Sequence, residues 1–298
     1  GRAPRPVAHA LSPSRVCRVR GACRRRGGRG ILGARAGTRN GAIARGARYL
    51  GGMCGRFSLQ TPVPELAELF EADPSRLEEW SARYNVAPTD EVVTLRRSAG
   101  GRELVPLRWG LIPNWAEDRT SLPPMINARS ESLETRRAFR DLVIDRRCAV
   151  LADGFYEWRK EGGLKQPYLI RRRDRRPMAL AGLWDVWRGP DGRIPSCTII
   201  TTDANELLEP LHDRMPVILE GVGAQMWLDL DISERTMDPL QPFDAEALEV
   251  FAVSRRVNRV ADDDAACAEP RSAPIREASG WRERPAVGDA PPDQLGFF

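Results

Sequence analysis

From residue 53 onward, apolar positions fall in short runs separated by Gly, Pro and Asp. Residues 64–72 (PELAELFEA) place apolar side chains at 66, 69 and 70, with Pro and Glu in the first turn, the spacing of a short amphipathic helix. Residues 92–97 and 104–109 read as two strands joined across Gly100-Gly101, a hairpin signal. The runs 147–152, 168–172, 178–183 and 197–201 are also β-prone and bounded by turn residues, and 248–253 reads as a final strand. Two further segments, 206–211 and 223–228, read as helices. Strands do not alternate with helices long enough to cross over a sheet, which disfavours parallel βαβ units. The predicted fold is α+β: a mostly antiparallel, barrel-like β-sheet domain with a few peripheral helices. Beyond about residue 270 the pattern weakens and Pro285, Pro291 and Pro292 appear, predicting a flexible tail over 271–298.

Upstream of residue 53 no such pattern exists, and here composition changes the picture. The 298-residue chain carries 46 Lys+Arg against 41 Asp+Glu, a net charge of +5 that suggests nucleic-acid binding. The charge is unevenly placed. Residues 1–52 hold 13 Arg and 11 Gly with no Lys and no acid, so the remainder has 33 basic and 41 acidic residues, a net charge of −8. The leader lacks the apolar periodicity needed to bury surface and fold alone. It reads as a basic nucleic-acid arm, as a transit peptide, or as the product of GC-rich upstream DNA with Met53 as the real start. The expected organisation is therefore a leader (1–52), one catalytic and DNA-binding domain (53–270) and a tail (271–298). No apolar run approaches the roughly 20 residues of a membrane span. The six cysteines (17, 23, 54, 148, 197, 267) are scattered without C-x-x-C spacing, and there are two histidines. That excludes a zinc-centre signature and suits a reducing, cytoplasmic location. No metal or cofactor is expected.

Four sites stand out chemically. Cys54, in Met53-Cys54-Gly55-Arg56-Phe57, becomes N-terminal if translation starts at Met53 and the Met is removed. Such a residue offers an α-amine and a thiol, and the pair closes an aldehyde into a thiazolidine with an intramolecular second step. Glu157 lies between aromatics in Asp153-Gly154-Phe155-Tyr156-Glu157-Trp158, a setting that desolvates a carboxyl for proton transfer. His212 is the only histidine outside the leader, and Arg214 follows in the same Pro-bounded loop. Asn127 and Arg129, two apart on an extended segment, point to the same side and suit a polar or phosphate ligand. Each also has a plain structural reading: a buried small Cys, an edge-strand Glu, a packed His.

Taken in order, MCGRF, YNVAPT (84–89), RWGLIPNWA (108–116), INARSE (126–131), GFYEW (154–158), LAGLWD (180–185), LHDRMPVIL (211–219) and VSRRVN (253–258) resemble the SOS response-associated peptidase (SRAP) family of abasic-site processing proteins. The resemblance runs from Cys54 to about Asn258. It implies covalent capture of abasic sites in single-stranded DNA at replication forks, through a thiazolidine between Cys54 and the ring-opened sugar. It implies Asn127 as the residue positioning sugar and amine, Glu157 as acid/base, and His212 as the group assisting ring opening. An imine at the sugar also opens a lyase side reaction. One departure matters: with 53 residues before it, the Cys54 nitrogen is an amide, so the chemistry requires a start at Met53 or cleavage before Cys54. The alternative reading is a cysteine peptidase that exposes Cys54 autoproteolytically. A third is a non-catalytic nucleic-acid module driven by the leader.

An acidic domain that binds DNA must gather its basic residues on one face. The expected DNA contacts are Arg56, Arg129, Arg214 and Trp109, with Trp115 and Trp158 as further stacking surfaces and the runs 171–176 and 136–140 as basic clusters. Gln294-Leu295-Gly296-Phe297-Phe298 resembles a bacterial sliding-clamp peptide, in which Gln294 anchors while Leu295, Phe297 and Phe298 fill an apolar pocket. The expected partners are abasic single-stranded DNA and the clamp, with no membrane, and the protein is expected to act as a monomer.

Overall fold

The computed structural model describes residues 55–77, 80–190, 192–229 and 237–281. The leader and the clamp-like peptide lie outside these residues. In chain order the first elements are β1 (Phe57–Leu59), α1 (Val63–Phe70), β2 (Ala72–Asp73), β3 (Arg83–Val86), β4 (Glu91–Ser98), β5 (Gly101–Trp109), β6 (Asn127–Arg129) and α2 (Leu142–Asp145). There follow β7 (Arg147–Ala152), β8 (Gly154–Glu161), β9 (Leu164–Arg172), β10 (Met178–Gly189), β11 (Gly192–Asp203), β12 (Arg214–Pro216), β13 (Ile218–Leu219), α3 (Gly221–Leu228) and β14 (Leu248–Ala252).

Two sheets result. Strands β11, β10, β7, β4 and β5 pair in that order, and a parallel contact of β5 with β11 (Ser196 opposite Arg108, Cys197 opposite Trp109) closes them into a mixed barrel. The second sheet, in the order β14-β9-β8-β1-β3, is antiparallel throughout. The fold is thus α+β and mostly β, as the turn-bounded runs predict.

Sequence runs such as CAVLA are apolar without alternation because both faces of the barrel wall are covered. Cys148, Val150 and Ala152 of β7 join a core shared with Phe57, Phe155 and Ile170 of the second sheet. Their neighbours Ala149 and Leu151 join another that receives Leu66 from α1, Val143 from α2 and Trp227 from α3. The barrel wall therefore supports the second sheet on one side and the helices on the other.

Several local readings are corrected. Residues 206–211 are not a helix but a series of turns over Asn205–His212. Pro210 has no N–H to continue the ladder, and the Leu208 N–H is shared between the backbone carbonyl of Asn205 (3.0 Å) and its side-chain Oδ1 (3.1 Å). Helix α1 ends at Phe70 because Glu71 takes a left-handed conformation (φ 51°). The stretch after 270 begins as part of the domain: Ile275 exchanges backbone hydrogen bonds with Val250, and Trp281 is 5% exposed. Among the described residues no helix is long and apolar enough to cross a membrane.

Candidate active site

Cys54 lies outside the described residues, but the frame at its point of entry is on view. Phe57 pairs with Phe155 and Ser58 with Gly154, and the Tyr156 N–H donates to Arg56 O at 2.9 Å. Continued by two residues, that antiparallel register sets Gly55 across from Glu157. Glu157 is buried, at 6% exposure, within β8. Two features force β8 into this place. A Cβ on Gly154 would lie 2.7 Å from Leu169 Cδ1 and 2.9 Å from Ile170 O, so only glycine lets β8 start flush against β9. Asp153 then fastens the far end of β1, accepting from Gln60 N–H (2.5 Å), Thr61 N–H (2.9 Å) and the Thr61 hydroxyl (2.6 Å).

Asn127 opens β6 and pairs with Ile199 of β11 in parallel register. Ile126 O, one residue earlier, accepts from Ile199 N–H at 3.0 Å and from Trp109 Nε1 at 2.9 Å. The Trp109 ring packs 5.2 Å from Phe57. Trp109 thus spans the gap between β1 and the residue preceding Asn127. It is fully buried, so the expectation that it stacks on bases is corrected: the ring has no solvent face to offer. Gly110, at φ 118°, turns the chain directly behind it, where a Cβ would meet Pro124 Cβ at 2.8 Å.

His212 ends the 205–211 turns, its N–H bonded to Leu208 O at 2.9 Å. Its Nδ1 lies 2.7 Å from Asp213 Oδ1 and accepts from the Arg214 N–H at 3.1 Å. Trp281 ties this turn to the strand beside Glu157. Its Nε1 donates to Leu207 O at 2.8 Å, and its ring meets Tyr168 edge-on at 5.1 Å. Tyr168 is the register partner of Glu157. Trp281 and Asp153 were not singled out in the sequence; a lone Trp in a Pro-rich stretch was the signal for the first, and an acid directly before the β8 glycine for the second.

The arginines sort differently from expectation. Arg214 is engaged by the protein: it pairs with Asp203 (2.5 Å) and Glu131 (2.8 Å), and it donates to Thr201 O (2.8 Å). Burial opposes ionisation of Glu131, yet hydrogen bonds from the backbone and from Arg214 hold its carboxyl below the ordinary value. Arg56 turns inward onto Asn85 Oδ1 (2.8 Å) and Val257 O (2.7 Å). Of the four expected DNA-binding residues, Arg129 alone is exposed to solvent, while Arg56 and Arg214 are half-buried and Trp109 is buried. Outside that set, Trp115 is 40% exposed with the Arg137 guanidinium 4.3 Å from its ring centre. Trp158 donates through Nε1 to Asn258 at 2.6 Å.

The described cysteines are inert. Burial pushes the Cys197 thiol up to about 12 and raises Cys148 and Cys267 as well, so none carries useful thiolate near neutrality.

The order of motifs and this frame agree with a direct match: residues 53–260 fit the family model for SOS response associated peptidase (SRAP). The chain belongs to the SRAP family. Its relatives include the abasic site processing protein YoqW of Bacillus subtilis, 40% identical over 215 residues that span 69% of this chain and 94% of YoqW. Escherichia coli YedK, also called an abasic site processing protein, is 35% identical over 228 residues, 73% of this chain and all of YedK. A crystal structure of a Bacteroides thetaiotaomicron protein superposes with a TM-score of 0.68 at 27% identity, covering 74% of this chain and 100% of that one. The SRAP match begins one residue before Cys54 and ends just past the VSRRVN block.

Proposed function

We propose that this SRAP protein processes abasic sites in single-stranded DNA by bonding to them through Cys54. The observation that carries the reading is the burial of Glu157 on β8, the strand that pairs with β1, whose register continued by two residues leads to Gly55, the residue that directly follows Cys54. The names of the relatives supply the substrate. A free α-amine on Cys54, exposed by a start at Met53 or by cleavage before Cys54, attacks the C1′ aldehyde of the opened sugar. The carbinolamine loses water to give an imine. The thiol then adds across C=N, forming the S–C bond and returning a proton to nitrogen. A carboxyl desolvated between Tyr156 and Trp158 suits the proton transfers of dehydration and closure. Asn127 holds the sugar, His212 Nε2 serves ring opening, and Arg129 meets the flanking phosphate.

The test is a denaturing gel of Met53-start protein after incubation with single-stranded DNA carrying one abasic site. An SDS-stable adduct is expected, absent in Cys54→Ala and formed about 100-fold more slowly in Glu157→Gln, the lower end of general acid–base contributions. Undiminished adduct with Cys54→Ala sinks the reading. Removal of a leader peptide from the full chain without any adduct points to a peptidase instead.

A further inference from the structure

A second basic site lies along β11 from the residues above. Arg76, Arg96, Arg146, Trp184, Arg188 and Arg193 line an open cleft of about 920 Å³. Arg193 is six residues along β11 from Ile199, the partner of Asn127, a separation of roughly 20 Å in extended chain. The cleft is therefore distinct from the site at Asn127.

Its arginines are arranged as anion ligands. Arg96 and Arg146 both stack on Trp184, their guanidinium carbons 4.3 and 4.5 Å from the ring centre. Stacking fixes a guanidinium through its face. The Nε edges of Arg96 and Arg146 face Glu103 (2.8 Å) and Asp145 (3.7 Å), and the terminal nitrogens are the donors turned to the cleft's ligand in this reading. Arg188 and Arg193 stand directly opposite each other across the β10–β11 hairpin. Like charges in that position destabilise a sheet, and neither arginine has an ion pair among the described residues. Among the described residues, the acids nearby are committed. Glu103 pairs with Arg96 (2.8 Å) and Arg76 (3.7 Å), and the buried Asp185 accepts from the backbone of Asn114 (2.7 Å) and Val186 (2.8 Å). Among the described residues, the hairpin thus keeps a pair of cations without ion pairs at the mouth of a cleft whose lining carboxylate and its neighbour Glu103 are already engaged.

We propose that this cleft holds the phosphodiester backbone of a single nucleic-acid strand, as a second contact apart from the lesion site. The cleft is at the upper end of small-ligand pockets in size, room for a few nucleotides of one strand rather than for a duplex to be enclosed. Its donors are arginines rather than base-reading amides, so the contact is independent of sequence. The inference rests on the DNA-directed reading above only for the choice of DNA among polyanions.

The test is fluorescence anisotropy of the full chain with a short labelled oligothymidine that contains no abasic site, over a range of salt. The double variant Arg188→Ala/Arg193→Ala is expected to bind about 10-fold more weakly. Its slope of log affinity against log salt should flatten by about 1.4, two single-strand phosphate contacts at about 0.7 each. Unchanged affinity and slope would overturn the proposal, as would thymidine monophosphate competing as well as the strand, which marks a small-anion pocket. Both residues are exposed, so a shifted urea midpoint separates misfolding from lost contact, and Arg188→Lys/Arg193→Lys should restore most of the slope. Adduct formation is scored separately: arginine-dependent binding without adduct sinks the covalent reading and leaves this one standing.

Discussion

Arg171, Arg175 and Arg276 converge on one buried carboxylate, whereas Arg188 and Arg193 face each other across a hairpin with no ion pair among the described residues. In the first group, Glu249 is 1% exposed and sits opposite Arg171 in the β9–β14 register. Its oxygens lie 3.1 Å from Arg171, 3.0 Å from Arg276 and 3.5 Å from Arg175. Arg172 beside them pairs with Asp174 and Glu220. The run 171–176 looks like the strongest DNA-binding patch in the sequence, yet most of its charge is spent inside the protein, binding β14 and the segment after it to the sheet. Arg188 and Arg193 directly flank the turn glycines Gly189 and Gly192 and attract no notice in the sequence, yet neither has an ion pair among the described residues. Density of arginine along the chain says little; what decides is which carboxylates the fold delivers to them.

The largest effect that could break this comparison is at Glu249. If the first group is structural, Glu249→Ala leaves a guanidinium at 16% side-chain exposure without its partner. Removing one partner of a buried pair costs about 3–5 kcal/mol, read as a drop in urea-unfolding stability. A loss below about 1 kcal/mol would mean that the arginines find water or other acceptors, and that the run is freer than its geometry implies. Next in size, Arg188→Ala/Arg193→Ala should leave stability unchanged or raise it by up to about 0.5 kcal/mol, because it relieves a like-charge cross-strand pair. A loss of more than 1 kcal/mol there would show that these arginines also hold the fold, and the contrast would collapse.

The same contrast explains what was legible from the sequence. Glycine-turn signals and apolar runs give the hairpin of β4 and β5 and the inner halves of β10 and β11. The identical Gly-Gly signal at 162–163 joins β8 to β9, but Arg159, Lys160, Glu161 and Lys165 make those strand ends look like loop. Motif order identifies the family and places Asn127, Glu157 and His212 on elements that the fold ties together through Trp109 and Trp281. The roles of those tryptophans were not legible, because a core ring and a stacking ring have the same letter. Pro210 was visible all along as a break in the 206–211 pattern, yet three leucines outweighed it.

The smallest effect sharpens the comparison from within the paired group. The Arg172 hydrogen bond, opposed by partial burial and aided by the Arg176 N–H, draws the Asp174 carboxyl from its ordinary 3.8 down to about 2. A folded-state value below the unfolded one means that the ionised pair stabilises the protein fully above about pH 4. That stability is lost as pH falls through about 2, where the folded carboxyl takes up its proton. Asp174 is 44% exposed, so solvent screens the pair and its worth is a few tenths of a kcal/mol. Wild type should therefore exceed Asp174→Asn by that margin at neutral pH, with the gap closing between about pH 4 and 2 in urea melts. Acid scans of Arg188→Ala/Arg193→Ala against wild type should show no such closing gap, since no carboxylate answers those arginines among the described residues. A gap that closes for both variants would place an acid at the cleft mouth and remove the reason for a phosphate there.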